Sequence, residues 1–237
     1  MPTTLITGVN RGLGLELARQ YLVRGWNVIG TSRAPAEHLD QLAAEHDHRL
    51  RLLHADMADI DGLSQLASDV KGTPIDVLLL SAGTMGTADF ANQGMNVGGF
   101  GQIDYADWSS VMTINVLAPM RLAELLVDEV EASEQKKIVG MSSMLGSMGM
   151  NTIGGLYVYR TSKAALNSVL RSLSFDLAKR GISVAALHPG WVRTDMGGPS
   201  ATLSSEESVR GLINVIADLS PERSGGFFSY EGETLPW

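Results

Sequence analysis

The chain of 237 residues contains no cysteine. That excludes disulfide bonds, thiolate catalysis and cysteine-ligated metals, and it fits a reducing compartment. Charge is sparse at 19% of residues, and positive charge sparser: 18 Lys and Arg against 26 Asp and Glu leave a net charge of −8. Nucleic acid and acidic membrane surfaces call for a basic face, so neither is expected as a partner. The N-terminus, Met-Pro-Thr-Thr-Leu-Ile-Thr-Gly, lacks the basic stretch and apolar run of a secretory signal. Apolar runs such as Val77–Leu80 fall well short of the about 20 residues that span a bilayer. A cytoplasmic location is the expectation. No repeat, low-complexity tract or linker interrupts the sequence, and residues 1–237 are expected to form a single domain with a sizeable core.

What the chain does contain is an alternation of two kinds of segment. Short apolar or β-branched stretches at 4–7, 27–31, 49–55, 77–80, 137–141, 183–188 and 227–230 read as strands. Helical patterns fill 13–25, 36–46, 60–70, 107–131, 157–180 and 204–219. Strands separated by helices imply right-handed crossovers, hence an α/β fold: a doubly wound, parallel, Rossmann-type sheet of about seven strands with helices on both faces. Ligands of such sheets sit beyond the carboxyl ends of the strands. Loops expected there, at about 84–106, 144–156 and 190–203, are candidate substrate loops; Gly98, Gly99, Gly101, Gly197 and Gly198 lie in them.

The first strand runs directly into Thr7-Gly8-Val9-Asn10-Arg11-Gly12-Leu13-Gly14 and then a helix. Glycines there let the backbone turn sharply and approach a pyrophosphate, which the helix N-terminus attracts through its N–H groups and dipole. The spacing Gly-x3-Gly-x-Gly departs from Gly-x-Gly-x-x-Gly, but its position after a strand and before a helix is the one such a motif requires. At the end of the second strand stands Thr31-Ser32-Arg33. A carboxylate there would suit the ribose hydroxyls of NAD, whereas arginine suits a 2′-phosphate. Arg33, with Arg11 as a second basic contact, favours NADP(H).

Tyr159 and Lys163 lie four apart in the helix 157–180, which puts them on one face with Cβ atoms about 5–6 Å apart. A phenol with a pKa of about 10 is a poor base at neutral pH, and a nearby ammonium favours its ionised form. Pro119 stands four after Asn115 and has no N–H for the carbonyl of residue 115. That leaves either a free carbonyl able to hold a water or a plain kink. Glu45-His46-Asp47-His48 reads as a solvated turn, with no distant third metal ligand. Gly140-Met141-Ser142-Ser143-Met144 lacks the closing glycine of a hydrolase elbow. Met141, Met144, Met148 and Met150 suit an apolar pocket or core filling.

Taken in order, Thr-Gly-x3-Gly-x-Gly, Ser81-Ala82-Gly83, Asn115, a serine, Tyr-x3-Lys and Pro189-Gly190 with Thr194 resemble the short-chain dehydrogenases/reductases over nearly the whole chain. Ser-Ser-x-Leu-Gly-Ser, Asn151-Thr152, Gly154-Gly155, Tyr159-Arg160-x-Ser-Lys and the final Leu235-Pro236-Trp237 are similar to the sniffer/C-factor-like carbonyl reductases. The resemblance implies reduction of a ketone or aldehyde, or oxidation of the matching alcohol, with NADP(H). It implies Tyr159 as general acid/base, Lys163 on the ribose and the phenol, a serine on the substrate oxygen, and Asn115 anchoring a relay water. It also implies cofactor contacts at Gly8, Asn10, Arg11, Gly12, Leu13, Gly14, Arg33, Asp56, Met57, Ser81, Ala82, Gly83, Tyr159, Lys163, Pro189, Gly190, Val192 and Thr194. Within the family the acting serine stands three before a glycine, and Ser143 fits that frame with Gly146. Successive strand residues face opposite ways, so Ser142 should spend its hydroxyl on backbone groups.

Two departures from the family stand out. Ser81 replaces an asparagine, which should weaken one strand-to-strand hydrogen bond, and Ser143 to Tyr159 spans sixteen positions rather than thirteen. A cofactor-binding signalling or regulatory protein of the same fold is the alternative function. Apolar residues on more than one face of the helices 107–131 and 157–180, namely Trp108, Val111, Leu117, Leu122, Leu125 and Leu126 on one and Leu166, Val169, Leu170 and Leu173 on the other, point to a homodimer or homotetramer.

Overall fold

The structure is a computed structural model and describes residues 1–88, 90, 94 and 98–237. Of the candidate substrate loop 84–106, residues 89, 91–93 and 95–97 therefore lie outside the described residues. Seven described strands, β1 (Thr3–Ile6), β2 (Asn27–Ser32), β3 (Leu50–His54), β4 (Val77–Leu80), β5 (Lys137–Met141), β6 (Ser183–His188) and β7 (Gly226–Ser229), form one sheet in the order β3-β2-β1-β4-β5-β6-β7. Every pairing is parallel, as crossover helices require. The chain starts at the middle and winds outward both ways, so the order reverses between β1 and β4. That switch point opens a crevice at the carboxyl ends of both strands.

The period of two in the strands divides the core into two layers. Leu5, Leu78, Leu80, Ile138, Val184 and Ala186 point to one side, where α3 (Leu63–Val70), α5 (Ala118–Glu131) and α6 (Tyr157–Asp176) cover them. Their sequence neighbours Ile6, Val77, Leu79, Val139, Ala185 and Leu187 point to the other side, under α1 (Gly12–Val23), α2 (Glu37–Glu45) and α7 (Ser205–Ala217). Strands buried on both faces explain the continuous apolar runs in the sequence.

Element limits move where local chemistry ends them. Helix α1 stops at Val23 rather than 25, because Gly25 turns left-handed at φ 83°. Helix α6 stops at Asp176, tightens into a 3₁₀ turn at Ala178–Arg180 and ends on Gly181 at φ 72°. Glu45 closes α2 and residues 46–48 form the turn after it, with Asp47 and His48 at φ 53° and 55°.

The expected helix 107–131 is really three pieces. Helix α4 (Tyr105–Met112) is capped by the Asp104 carboxylate on the N–H groups of Ala106 and Asp107. It widens into a π-turn at Thr113–Leu117 before α5 begins. Taken end to end, Tyr105–Glu131 is 27 residues long and apolar enough to cross a membrane by length and composition, which corrects the expectation that every apolar run is too short. Nearly half of its most apolar stretch is buried inside the protein: Val111, Leu122, Leu126 and Val130 are core residues.

Candidate active site

The crevice between β1 and β4 is a cleft of about 290 Å³. Its floor is the glycine loop. Gly8 and Gly12 sit at φ 77° and 57°, in the left-handed region that glycine adopts without strain. Gly14 begins the packing of α1 on that loop, and a Cβ there would stand 2.1 Å from the Gly8 carbonyl oxygen. No side chain fits at Gly14, so the helix start packs directly on the loop backbone. On the far wall a Cβ at Gly83 would come within 3.3 Å of both Asn115 Oδ1 and Lys163 Nζ. This is the shape of a cradle for a pyrophosphate-bearing cofactor.

Sixteen of the eighteen expected cofactor contacts line that cleft: the glycine loop from Gly8 and Asn10 to Gly14, Arg33, Asp56, Met57, Ser81 to Gly83, Tyr159, Lys163, Pro189 and Thr194. Gly190 and Val192 do not. Gly190 turns at φ 82° against Tyr230 and Leu203, and Val192 is buried and bridged to Leu203. Thr84, Asp195 and Met196, from the candidate substrate loops, and Met141, expected in a pocket or the core, also line it. Sequence reasoning missed Ala55 and Ile114, which line it too and are chain neighbours of expected residues.

Arg33 is exposed at the rim beside Ser32. Arg11 is held differently from expectation: its guanidinium pairs with Asp195 at 2.6 Å, across the cleft, with both side chains largely exposed. Asp56 accepts from the N–H of Ala58 at 3.0 Å. Around position 81 the link to β1 is carried by backbone N–H groups. Thr7 Oγ1, on the β1 side, accepts from the N–H groups of both Ser81 and Ala82 at 2.9 Å.

Tyr159 and Lys163 share one face of α6 as their spacing requires, with Lys163 Nζ 5.6 Å from the Tyr159 ring centre. Both are buried. Burial pushes the phenol up to about 12, against a smaller opposite pull from its hydrogen bond with Ser143. Burial likewise pulls the Lys163 ammonium down to about 8, and Nζ donates to the Met141 carbonyl at 2.8 Å. The expectation that Lys163 draws the phenol down is therefore not met by the protein's own groups. Desolvation of the charged form outweighs the neighbouring charge, and Tyr159 keeps its proton at neutral pH.

The two serines part ways, but not in the expected sense: Ser142 lines the cofactor cleft, and Ser143 stands near Tyr159 outside that lining. Ser143 Oγ accepts from Leu145 N–H at 3.2 Å and lies close enough to the Tyr159 phenol to favour its ionised form. Ser142 Oγ donates to Asn167 Oδ1 at 2.6 Å, a side chain on α6 rather than the backbone group expected, while its body still lines the cleft. The 3₁₀ turn Met144–Gly146 holds Ser143 against α6: a Cβ at Gly146 would lie 2.8 Å from Lys163 C and Cβ.

Asn115 lies behind the cleft and is fully buried. Its amide exchanges hydrogen bonds with Thr84 N–H and C=O, both 2.8 Å, and donates to Ser162 Oγ at 3.0 Å. Pro119 withholds the N–H that an α-helix would aim at the Asn115 carbonyl. The helix responds with the π-turn, in which Ala118 N–H reaches back to Thr113 C=O. Beyond Tyr159 an apolar wall of Met85, Leu145, Leu156 and Phe90 continues outward, and Trp191 meets Phe90 edge-to-face with ring centres 6.5 Å apart. Leu156 starts α6 at φ 49° while only 2% exposed, a backbone state that costs an L-residue about 1–2 kcal/mol. Met144, Met148 and Met150 stand on the surface, and only Met141 of the four methionines lines the cleft.

Residues 2–203 match the family model of the short chain dehydrogenases. The chain is 43% identical to the C-signal of Myxococcus xanthus over 171 residues, covering 72% of this chain and 98% of that relative. The carbonyl reductase Sniffer of D. melanogaster shares the fold at a TM-score of 0.89 with 33% identity over 100% of both chains. An NADPH-bound carbonyl reductase from chicken fatty liver matches at a TM-score of 0.89 with 31% identity, over 100% of this chain and 99% of its own. With a family model spanning most of its length, the chain belongs to the short-chain dehydrogenase/reductase family, in the sniffer/C-factor-like branch.

Proposed function

We propose that the protein is an NADP(H)-dependent carbonyl reductase, reducing a ketone or aldehyde to the alcohol or running the reverse reaction. The observation that carries this reading is the Tyr159–Lys163 pair lining a glycine-floored cleft, with Ser143 close to the Tyr159 phenol. Gly8 to Gly14 would hold the pyrophosphate, Lys163 the nicotinamide ribose, and Arg33 a 2′-phosphate; NADPH, when bound, supplies the hydride. Arg11 can join Arg33 by leaving Asp195. NADP(H) is supported further by the NADPH-bound relative of the same branch.

The proton side follows from this chain's own residues. A phenol held near 12 is a general acid at neutral pH, so Tyr159 donates to the carbonyl oxygen as negative charge develops there. Ser143 keeps that oxygen in place with a second hydrogen bond. Asn115, through its released carbonyl, positions a water that returns the proton. The apolar wall of Met85, Leu145, Leu156 and Phe90 excludes bulk water from the reacting atoms. Of the apolar residues expected at a subunit interface, Val111, Leu122, Leu126, Leu166, Leu170 and Leu173 are spent on the chain's own core, while Leu117, together with Tyr105 and Phe175, is exposed and supports assembly as a homodimer or homotetramer.

A second reading, a cofactor-binding signalling protein with incidental turnover, draws on the 43% identity to a protein called C-signal. A pure sensor needs only the cofactor half of the cleft, whereas this chain also carries Ser143, Tyr159 and Lys163. A panel of aldehydes, ketones and diketones, screened for NADPH consumption, separates the two: turnover is expected, and binding without turnover across the panel would favour the signalling reading.

A further inference from the structure

Ser143 and Tyr159 are the two ends of loop 144–156, and that loop is tied to the other end of the chain. The Trp237 carbonyl oxygen accepts from Ser147 Oγ and from Gly149 N–H, both at 3.0 Å. Ser147 is 1% exposed, and its Oγ also accepts from Met150 N–H at 3.2 Å. The tail that offers this acceptor is itself fixed. Leu235 N–H donates to the Phe227 carbonyl at 2.8 Å, and the Trp237 indole stacks on Phe227, with ring centres 5.4 Å apart and planes 21° apart. Phe227 is a core residue of β7, 1% exposed.

The rest of the loop holds itself poorly. Met148 and Ile153 are 77% and 68% exposed, and Gly154 and Gly155 run left-handed into Leu156. Its first turn is seated on α6 through Gly146 and its last residue begins α6. Among the described residues, the stretch from Ser147 to Met150 takes its long-range hydrogen bonds from Trp237.

We propose that the tail Leu235–Trp237 is a positioning element for the reaction. It anchors loop 144–156 to β7 and thereby fixes the distance between the Ser143 hydroxyl and the Tyr159 phenol. The inference rests on the reductase reading for its consequence in turnover, while the anchoring itself is independent of it. Neither Ser147, Gly149 nor Trp237 lines the cofactor cleft, so loss of the anchor should separate carbonyl turnover from cofactor binding.

The test uses the full chain, Trp237→Ala, Trp237→Phe and a form ending at Thr234. Amide hydrogen exchange is read in the segment 147–155, with the glycine loop 8–14 as internal control, beside NADPH affinity by fluorescence and kcat with the best carbonyl of the panel. In Trp237→Ala and the shortened form, exchange should quicken in 147–155 and not in 8–14. NADPH affinity should hold, and kcat should fall by between about 10- and 100-fold, the scale of a misplacement near 1 Å. Trp237→Phe, which keeps a ring on Phe227, should behave as the unaltered protein. Unchanged loop exchange overturns the proposal. So does faster exchange throughout with lost NADPH affinity, which marks mere loss of stability, and so does faster loop exchange with unaltered kcat. A full-length protein that turns over no carbonyl counts against the reductase reading alone, and loop exchange still decides the anchor.

Discussion

Substituting Gly146 by alanine probes how the serine is held. An alanine Cβ would lie 2.8 Å from Lys163 C and Cβ and 3.0 Å from Ala164 N. Those are backbone and stem atoms of a 20-residue helix, so the short turn must give way instead. Carbon atoms pack at 3.5–4.0 Å, so the turn must withdraw by about 0.7 Å or more from its 2.8 Å approach. Gly146 N–H is bonded to the Ser143 carbonyl at 2.8 Å, which carries the displacement back to the serine. Overpacking of this kind costs about 1–3 kcal/mol of stability, or a few °C in Tm for a chain of this size at roughly 2–4 °C per kcal/mol. The larger effect is on geometry: a shift approaching 1 Å at a reacting group lowers turnover by up to about 100-fold. The turn does not line the cofactor cleft. Gly146→Ala should therefore show a steep fall in kcat for carbonyl reduction, a modestly lower Tm, and nearly unaltered NADPH affinity by fluorescence titration. A folded Gly146→Ala protein with full kcat would refute the claim that this close approach places Ser143.

Other outcomes follow from the same site. NADPH should bind at least about ten-fold more tightly than NADH, a difference of about 1.4 kcal/mol, and Arg33→Asp should reverse the order; equal affinities of the unaltered protein in calorimetry would contradict the role of Arg33. Ser143→Ala should lower kcat by about 100-fold or more, the usual loss on removing a donor to a developing oxyanion, while Ser142→Ala keeps most activity; a crippled Ser142→Ala alone would place the serine frame one residue off. Lys163, drawn down to about 8 by burial, is charged below that pH and neutral above it. The value of kcat/KM for NADPH, which reports the free enzyme, should stay level on the acid side and fall as pH rises through about 8; a profile flat to pH 10 would contradict a buried, titrating Lys163.

Much of this was legible in the sequence because it depends on local spacing. Alternating strand and helix patterns imply the doubly wound sheet, and Gly-x3-Gly-x-Gly with Tyr-x3-Lys marks both halves of the site, since each motif lies within one turn or one helix face. Contacts between distant segments leave no periodic trace. The Ser142–Asn167 bond joins residues 25 apart, and Ser147 meets Trp237 across 90. Arg11 found Asp195 across 184 positions. Pro119 signalled a break in its helix, but proline alone does not say whether the ladder kinks or widens into the π-turn that formed. The raised phenol of Tyr159 was also out of reach: spacing brings Lys163 near, whereas the extent of burial is a property of the folded core.

The central claim is that the cleft delivers a hydride to a carbonyl while Tyr159 delivers the proton. The direct measurement is the transfer of deuterium from NADPH carrying deuterium at both nicotinamide C4 positions to the carbinol carbon of the product, followed by mass spectrometry in the unaltered protein and in Tyr159→Phe. The site geometry predicts one deuterium per product molecule with the unaltered protein, and turnover that collapses in Tyr159→Phe while labelled cofactor still binds with full affinity. Unlabelled alcohol, or a Tyr159→Phe protein that reduces the carbonyl at the original rate, would contradict it.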